Sequence, residues 1–176
     1  MPTRPTPTRW LDSDELPIWV RMVAVLELLP AQLDSHLRRV ADLTYFDYYV
    51  LAMLSEASAR TLRMSSLANH TNATLPRLSH VVRRLEARGL VERTRASDDR
   101  RATNARLTET GWEKVKETAP LHVEHVRRLV FDALSPEQVD QLGQITDALV
   151  AVLDPDGLMS VPYQPAESAE PHPDAV

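Results

Sequence analysis

Between Leu75 and Arg95 the chain reads LPRLSHVVRRLEARGLVERTR, and Arg77, His80, Arg83, Arg84 and Arg88 in this run can all donate hydrogen bonds to an anion. A guanidinium is a planar fork of N–H donors that fits phosphate oxygens or the O6/N7 edge of guanine. Interleaved with these cations, Leu78, Val81, Val82 and Leu85 repeat at three- and four-residue steps, the period of a helix with one buried face. Gly89 then stands where a helix commonly ends in a left-handed residue. Leu90 to Thr94 reads as a strand. Other chemistry finds less material. His122 and His125, three apart, can share a helix face, but no third ligand is fixed by spacing, so neither a metal site nor a cofactor is expected. With four glycines, no Gly-rich phosphate loop and no nucleophile–base pattern, the chain does not read as an enzyme. The absence of cysteine removes disulfides and thiol redox chemistry.

The cations are gathered. The 176-residue chain carries a net charge of -5, yet Arg60 to Arg106 holds eleven arginines against four acids, a local +7. A basic island in an acidic chain is an electrostatic footprint for phosphate. Its alternative is a solvated arginine-rich face, or a face for an acidic protein partner. The N-terminal MPTRPTPTRW has no secretory apolar run, and no stretch reaches the roughly 18 consecutive apolar residues of a membrane span. A cytoplasmic protein with no membrane partner is expected.

The elements that must carry these side chains follow in order. Residues 1–13, rich in Pro and Thr, read as a flexible arm. A helix is expected over 14–42, with an apolar seam of Trp19, Met22, Val23, Leu26, Leu29, Leu33, Leu37 and Val40, kinked at Pro30. Thr44 and Asp47 form a capping box for a second helix to about Ala57. Its aromatics Tyr45, Phe46, Tyr48 and Tyr49 are core, or line a cleft for a flat ligand. Thr61–Arg63 is a short strand, and Ser65 is expected to cap a short helix to His70. Thr74 caps the basic helix, with Pro76 in its first turn. Residues 95–102 are a hairpin tip carrying Asp99, Arg100 and Arg101, and 103–107 the returning strand. Short helix, turn, basic helix and basic hairpin make a winged helix-turn-helix. Thr108 begins a helix expected to reach Leu134, with Val115, Leu121, Val126, Leu129 and Val130 as its apolar positions. Ser135-Pro136 opens the last helix, with Val139, Leu142, Ile145, Leu149 and Val152 on one face. An acidic tail, 154–176, is expected to be disordered.

The fold class is therefore mainly α with a small β-hairpin wing: a winged helix-turn-helix (43–108) flanked by long dimerisation helices (14–42 and 109–153). LTYFDYYVLAML, SSLANHT, RRLEARGLVERT, SDDRRATNARLT and LTETG stand in the order and spacing that resemble the MarR family of winged-helix transcription regulators. The resemblance, over roughly residues 15 to 153, implies a homodimer that binds a pseudo-palindromic site in double-stranded DNA, usually as a repressor released by a small aromatic or lipophilic ligand. It implies Arg77, Ser79, His80 and Arg83 in the groove, with Arg101 in the minor groove steadied by Asp99. Thr74, Arg84 and Arg100 join them as DNA-binding candidates, Arg84 and Arg88 facing phosphate or solvent. Pro76 departs from the family's small polar residue at the start of that helix. A ligand cleft between the first, second and fifth helices would take His36, Tyr45, Tyr48, Tyr49 and Trp112. The competing reading keeps the winged-helix dimer but makes it a protein-interaction module without an operator.

Overall fold

The computed structural model describes residues 8–96 and 102–159. Its elements are α1 (Glu15–Ala41), α2 (Tyr45–Glu56), β1 (Thr61–Arg63), α3 (Met64–His70), α4 (Leu75–Ala87), β2 (Val91–Arg95), β3 (Thr103–Leu107), α5 (Glu109–Leu129) and α6 (Pro136–Leu153), with single 3-10 turns at Ser58–Arg60 and Phe131–Ala133. The three strands form one antiparallel sheet in the order β1-β3-β2. Val91 faces Leu107 and Arg95 faces Thr103 across the hairpin, while Leu62 pairs with Ala105 on the other side. Ala105 and Leu107 alternate inward, as period 2 demands, and are buried.

The core lies inside the winged helix. Leu37 and Leu43, Val50, Leu51 and Leu54 of α2, Leu67 of α3, and Leu78, Val82 and Leu85 of α4 are almost wholly buried. Local signals set the element ends. Thr44 accepts from the Asp47 N–H while the Asp47 carboxylate accepts from the Thr44 N–H, both at 2.9 Å. Ser135 and Gln138 repeat the device at α6. Gly89 takes φ +71 after α4, and Asn72 takes φ 45 in the turn after α3, the conformation asparagine tolerates best after glycine.

α1 runs as one helix of 27 residues with Pro30 inside it. Several expectations need correction. α1 is long and apolar enough, by length and composition, to cross a membrane, contrary to the reading of the uninterrupted runs. Arg21, Glu27 and Pro30 break those runs without making the segment polar on average. Its seam is half covered: Leu33, Leu37 and Ala41 are buried, Val40 is not, and Leu26 is 60% exposed. α3 begins at Met64 with Arg63 before it, so Ser65 lies inside its first turn and caps nothing. α5 stops at Leu129 instead of running to Leu134, its last turn tightening into the 3-10 turn that leads to the Ser135 cap. The inward stripe of α5 is Gly111, Val115, Thr118 and His125, and Leu121 is exposed. Polar residues supply half of that stripe, and apolar periodicity could not have found them. Residues 154–159 are turned back by Asp154, whose carboxylate accepts from the Leu158 and Met159 N–H groups. The remainder of the tail falls outside the described residues.

Candidate nucleic-acid interface

α3 and α4 are joined by the turn His70–Thr74. Thr71 is buried, its hydroxyl donating to the Leu67 carbonyl at 2.7 Å, and the Ala73 N–H reaches back to the Ala68 carbonyl at 2.9 Å. Thr74 caps α4 by accepting from the Arg77 N–H at 3.4 Å, a long bond. With Leu78, Val81, Val82 and Leu85 turned into the core, Arg77, His80 and Arg83 stand exposed on the outer face and Ser79 is half-buried. A groove of about 310 Å³ between α3, α4 and the outer half of the hairpin is lined by Arg63, Ser65, Ser79, Arg93 and Thr103. The hairpin closes with the Ala96 N–H on the Ala102 carbonyl at 3.0 Å. Asp99, Arg100 and Arg101, expected at its tip, lie outside the described residues.

The arginine surplus is partly spent inside the domain. Arg84, expected at phosphate or solvent, bonds Asp47 at 2.5 Å, and that carboxylate is only 3% exposed. Arg88 bonds both the carbonyl and the carboxylate of Asp42, which ends α1 in a left-handed conformation. Arg93 holds Glu86 through contacts of 2.9 and 2.7 Å and keeps that carboxyl below its ordinary pKa. Arg106 pairs with Glu92, and Arg60 pairs with Glu109 at 3.1 Å. Asp42, Asp47 and Glu109 lie outside the Arg60–Arg106 window, so a count within it overstates the charge left for an external anion. Arg77, Arg83 and Arg95 make no ion pair among the described residues. Arg77 instead lies with its guanidinium 4.3 Å from the centre of the Phe46 ring.

A second cluster forms where α1, α2 and α5 meet. The His36 and His125 rings stack at 3.9 Å and 10°. His122 leans on Tyr48 at 4.6 Å and on Tyr45 at 6.4 Å, and Tyr45 stacks on Tyr49 at 6.3 Å. An Arg39 N–H donates to His36 Nδ1 at 3.2 Å, and an Arg128 N–H donates to His125 Nδ1 at 2.6 Å. A guanidinium only donates, so each Nδ1 accepts, which leaves Nε2 as the donor of each ring. His36 Nε2 then donates to the Leu121 carbonyl at 3.2 Å. Burial first, then the neighbouring imidazoles, push the pKa of His122 and His125 down. Burial pushes the three tyrosines up. His122 Nδ1 is buried and has no hydrogen-bond partner among the described residues, while the His125 N–H is turned to the Gln32 backbone. Four of the five cleft candidates thus assemble. Trp112 does not: its ring packs under Arg60 in the first turn of α5, ten residues or about 15 Å along the helix from His122. His122 and His125, three apart on α5, turn to different partners: His122 to Tyr48 and Tyr45, His125 to His36 and Arg128. Tyr49 reaches further, donating its hydroxyl to the His70 carbonyl at 2.9 Å, at the end of α3.

A family model described as transcriptional regulator SarA/Rot matches residues 32–118. The chain is 40% identical to Sco3205 of Streptomyces coelicolor, a MarR family regulator solved in complex with DNA, with a TM-score of 0.81 over 86% of this chain and 94% of that one. It is 39% identical to AbsC, a MarR family regulator of the same organism, with a TM-score of 0.78 over 83% of this chain and 98% of that one. The transcriptional repressor MprA of Escherichia coli is 31% identical over 107 residues, 61% of this chain. The chain spans about 60% of the length of MprA. With a short helix, turn and basic helix backed by a three-stranded sheet, and with these relatives, the chain belongs to the MarR family of winged-helix transcription regulators, a family without enzymatic activity.

Proposed function

We propose that the protein is a cytoplasmic, homodimeric repressor that binds a pseudo-palindromic site in duplex DNA and is released by a small aromatic or lipophilic ligand. The observation that carries DNA binding is the outer face of α4, where Arg77, His80 and Arg83 are exposed beside Ser79 and Thr74 while the opposite face is fixed in the core. A relative 40% identical was solved with DNA, and the MprA relative is named a repressor. Arg77 is suited to a base edge, and Arg83 and Arg95 to phosphates, where they add affinity without sequence preference. The wing residues Asp99, Arg100 and Arg101 complete the reading at the minor groove.

Dimerisation rests on apolar surface that one chain leaves open. Trp19, Leu26 and Leu28 of α1 and Ile145, Val152 and Leu153 of α6 are at least half exposed. A groove of about 650 Å³ runs between Val25, Leu28 and Leu29 of α1 and Leu142 and Ile145 of α6. A two-fold partner would cover both helices and set two recognition helices about 34 Å apart, one turn of DNA. The same need accounts for the apolar length of α1 in a protein that stays in water. Ligand release rests on the cluster of His36, Tyr45, Tyr48, Tyr49 and His122. The buried His122 Nδ1, unpartnered among the described residues, forgoes about 1–3 kcal/mol, which a ligand with a polar atom at its rim would recover.

The test is selection of bound sequences from random duplex DNA, followed by a salt titration on the selected site. An inverted repeat is expected, with affinity falling steeply as salt rises. A purified chain that stays monomeric, or selects no sequence, refutes the proposal. A thermal-shift ligand screen tests release: hits that leave operator affinity unchanged remove that part.

A further inference from the structure

The described arginines around α4 differ in how they are held. Arg84, Arg88 and Arg93 are gripped at the edge of the guanidinium, by carboxylates that use the N–H donors a base would need. Arg83 keeps its donors but makes no contact among the described residues that fixes its plane. Arg77 combines a ring contact with unused donors. Its guanidinium carbon sits over the Phe46 ring, 4.3 Å from the centre, and its N–H groups make no ion pair among the described residues. Arg77 is also the third residue of α4, in the end of a recognition helix that enters a groove.

Phe46 is well placed to act as a platform. It belongs to α2, is half-buried, and packs against the core. Its neighbour Asp47 is locked by Thr44 and Arg84, and the N–H of the preceding Tyr45 is bound to Asp34 at 2.8 Å. The stretch of α2 that carries the ring is therefore tied to α1 through Asp34 and to α4 through Arg84. A guanidinium held in one plane loses less freedom when it meets O6 and N7 of a guanine together.

We infer that Phe46 is a specificity-determining positioning residue, which holds Arg77 in the plane that reads a guanine in each half-site. This rests on the DNA-binding reading above. Phe46→Leu keeps apolar bulk and removes the π face. It is expected to weaken binding to the selected operator about 5-fold, and at most about 30-fold. It should also flatten the guanine preference at one position per half-site, leaving non-specific binding and its salt dependence unchanged. Phe46→Tyr, which keeps the ring, should restore both. Arg77→Lys keeps the charge without the plane and should flatten the same position. The double variant Phe46→Leu/Arg77→Lys should be no worse than Arg77→Lys alone.

Thermal melts establish that each variant is folded. Should Phe46→Leu not fold, Arg77→Lys carries the test, and an unchanged base preference in it overturns the inference. So does a Phe46→Leu protein with full preference, or one that loses affinity equally for all sequences, or multiplying effects in the double variant. If the unmodified protein ignores duplex DNA, it is the DNA-binding proposal that fails.

Discussion

The Asp47–Arg84 pair allows a prediction with an unusual asymmetry. Both residues touch the same bond, but Asp47 is 3% exposed in its side chain and Arg84 42%. Removing the arginine strands a carboxylate in the core with, among the described residues, only the Thr44 N–H, at 2.9 Å, to bond it. Breaking a buried pair in this way costs about 3–5 kcal/mol. Removing the aspartate charge leaves a guanidinium that water reaches directly, so its stranding cost largely disappears. Asp47→Asn also keeps an amide oxygen for the Thr44 N–H, so about 1–2 kcal/mol is expected for the lost charge-assisted bond. Arg84→Met should therefore be the more damaging change, although it removes the more exposed side chain. The double variant Asp47→Asn/Arg84→Met should lie near Asp47→Asn alone, because the neutral amide no longer needs the cation. Urea unfolding at one fixed protein concentration reads all four corners of this cycle, with fixed concentration necessary if the protein is a dimer. If Arg84→Met costs less than Asp47→Asn, or if the double variant costs their sum, the assignment of Arg84 as an internal clamp between α4 and α2 is wrong.

Other consequences are tested more briefly. A Cβ at Gly111 would lie 2.0 Å from the Leu90 carbonyl oxygen and 2.7 Å from Leu107 Cδ1, so Gly111→Ala must displace backbone. It should destabilise by more than about 3 kcal/mol, whereas Gly89→Ala, with open space around it and only φ +71 to oppose it, should cost about 1 kcal/mol, both read from denaturant midpoints. His122 and His125 have folded-state pKa values below the 6.5 of the unfolded chain, so the unfolded chain takes up protons first as pH falls. Stability should be complete above pH 6.5 and decline below it through the depressed native values; a His122→Gln/His125→Gln variant should show a shallower decline in urea midpoint across that window. Leu29→Arg combined with Ile145→Arg places charge in the open groove between α1 and α6 and should yield monomers in sedimentation velocity, with operator affinity reduced at least about tenfold. A stable dimer from that variant would move the interface elsewhere.

The parts of the fold legible in sequence were those with local causes. Leu78, Val81, Val82 and Leu85 announced α4 by period, Thr44 with Asp47 and Ser135 with Gln138 announced helix starts, and Gly89 an end. Each is decided within a turn or two of chain. What stayed hidden depends on residues far apart in sequence. Nothing near Arg84 shows that Asp47, 37 positions earlier, will claim it, nor that Phe46 will lie beneath Arg77. The His36–His125 stack joins α1 to α5 across 89 positions, and nothing in the spacing on α5 names the ring that His125 meets. Trp112 is aromatic and shares α5 with His122, but about three turns of helix separate the two.

The internal pairing of the arginines bears on how such a protein would travel. A regulator seeking one short site among millions of base pairs is slowed by every indifferent stretch that holds it. Here five guanidiniums of the basic island are already occupied by carboxylates of their own chain, and the remainder of the molecule is acidic. If the protein binds DNA as proposed, bulk chromosome would exert a weak pull, and long-lived residence would fall to the few contacts that distinguish one base from another.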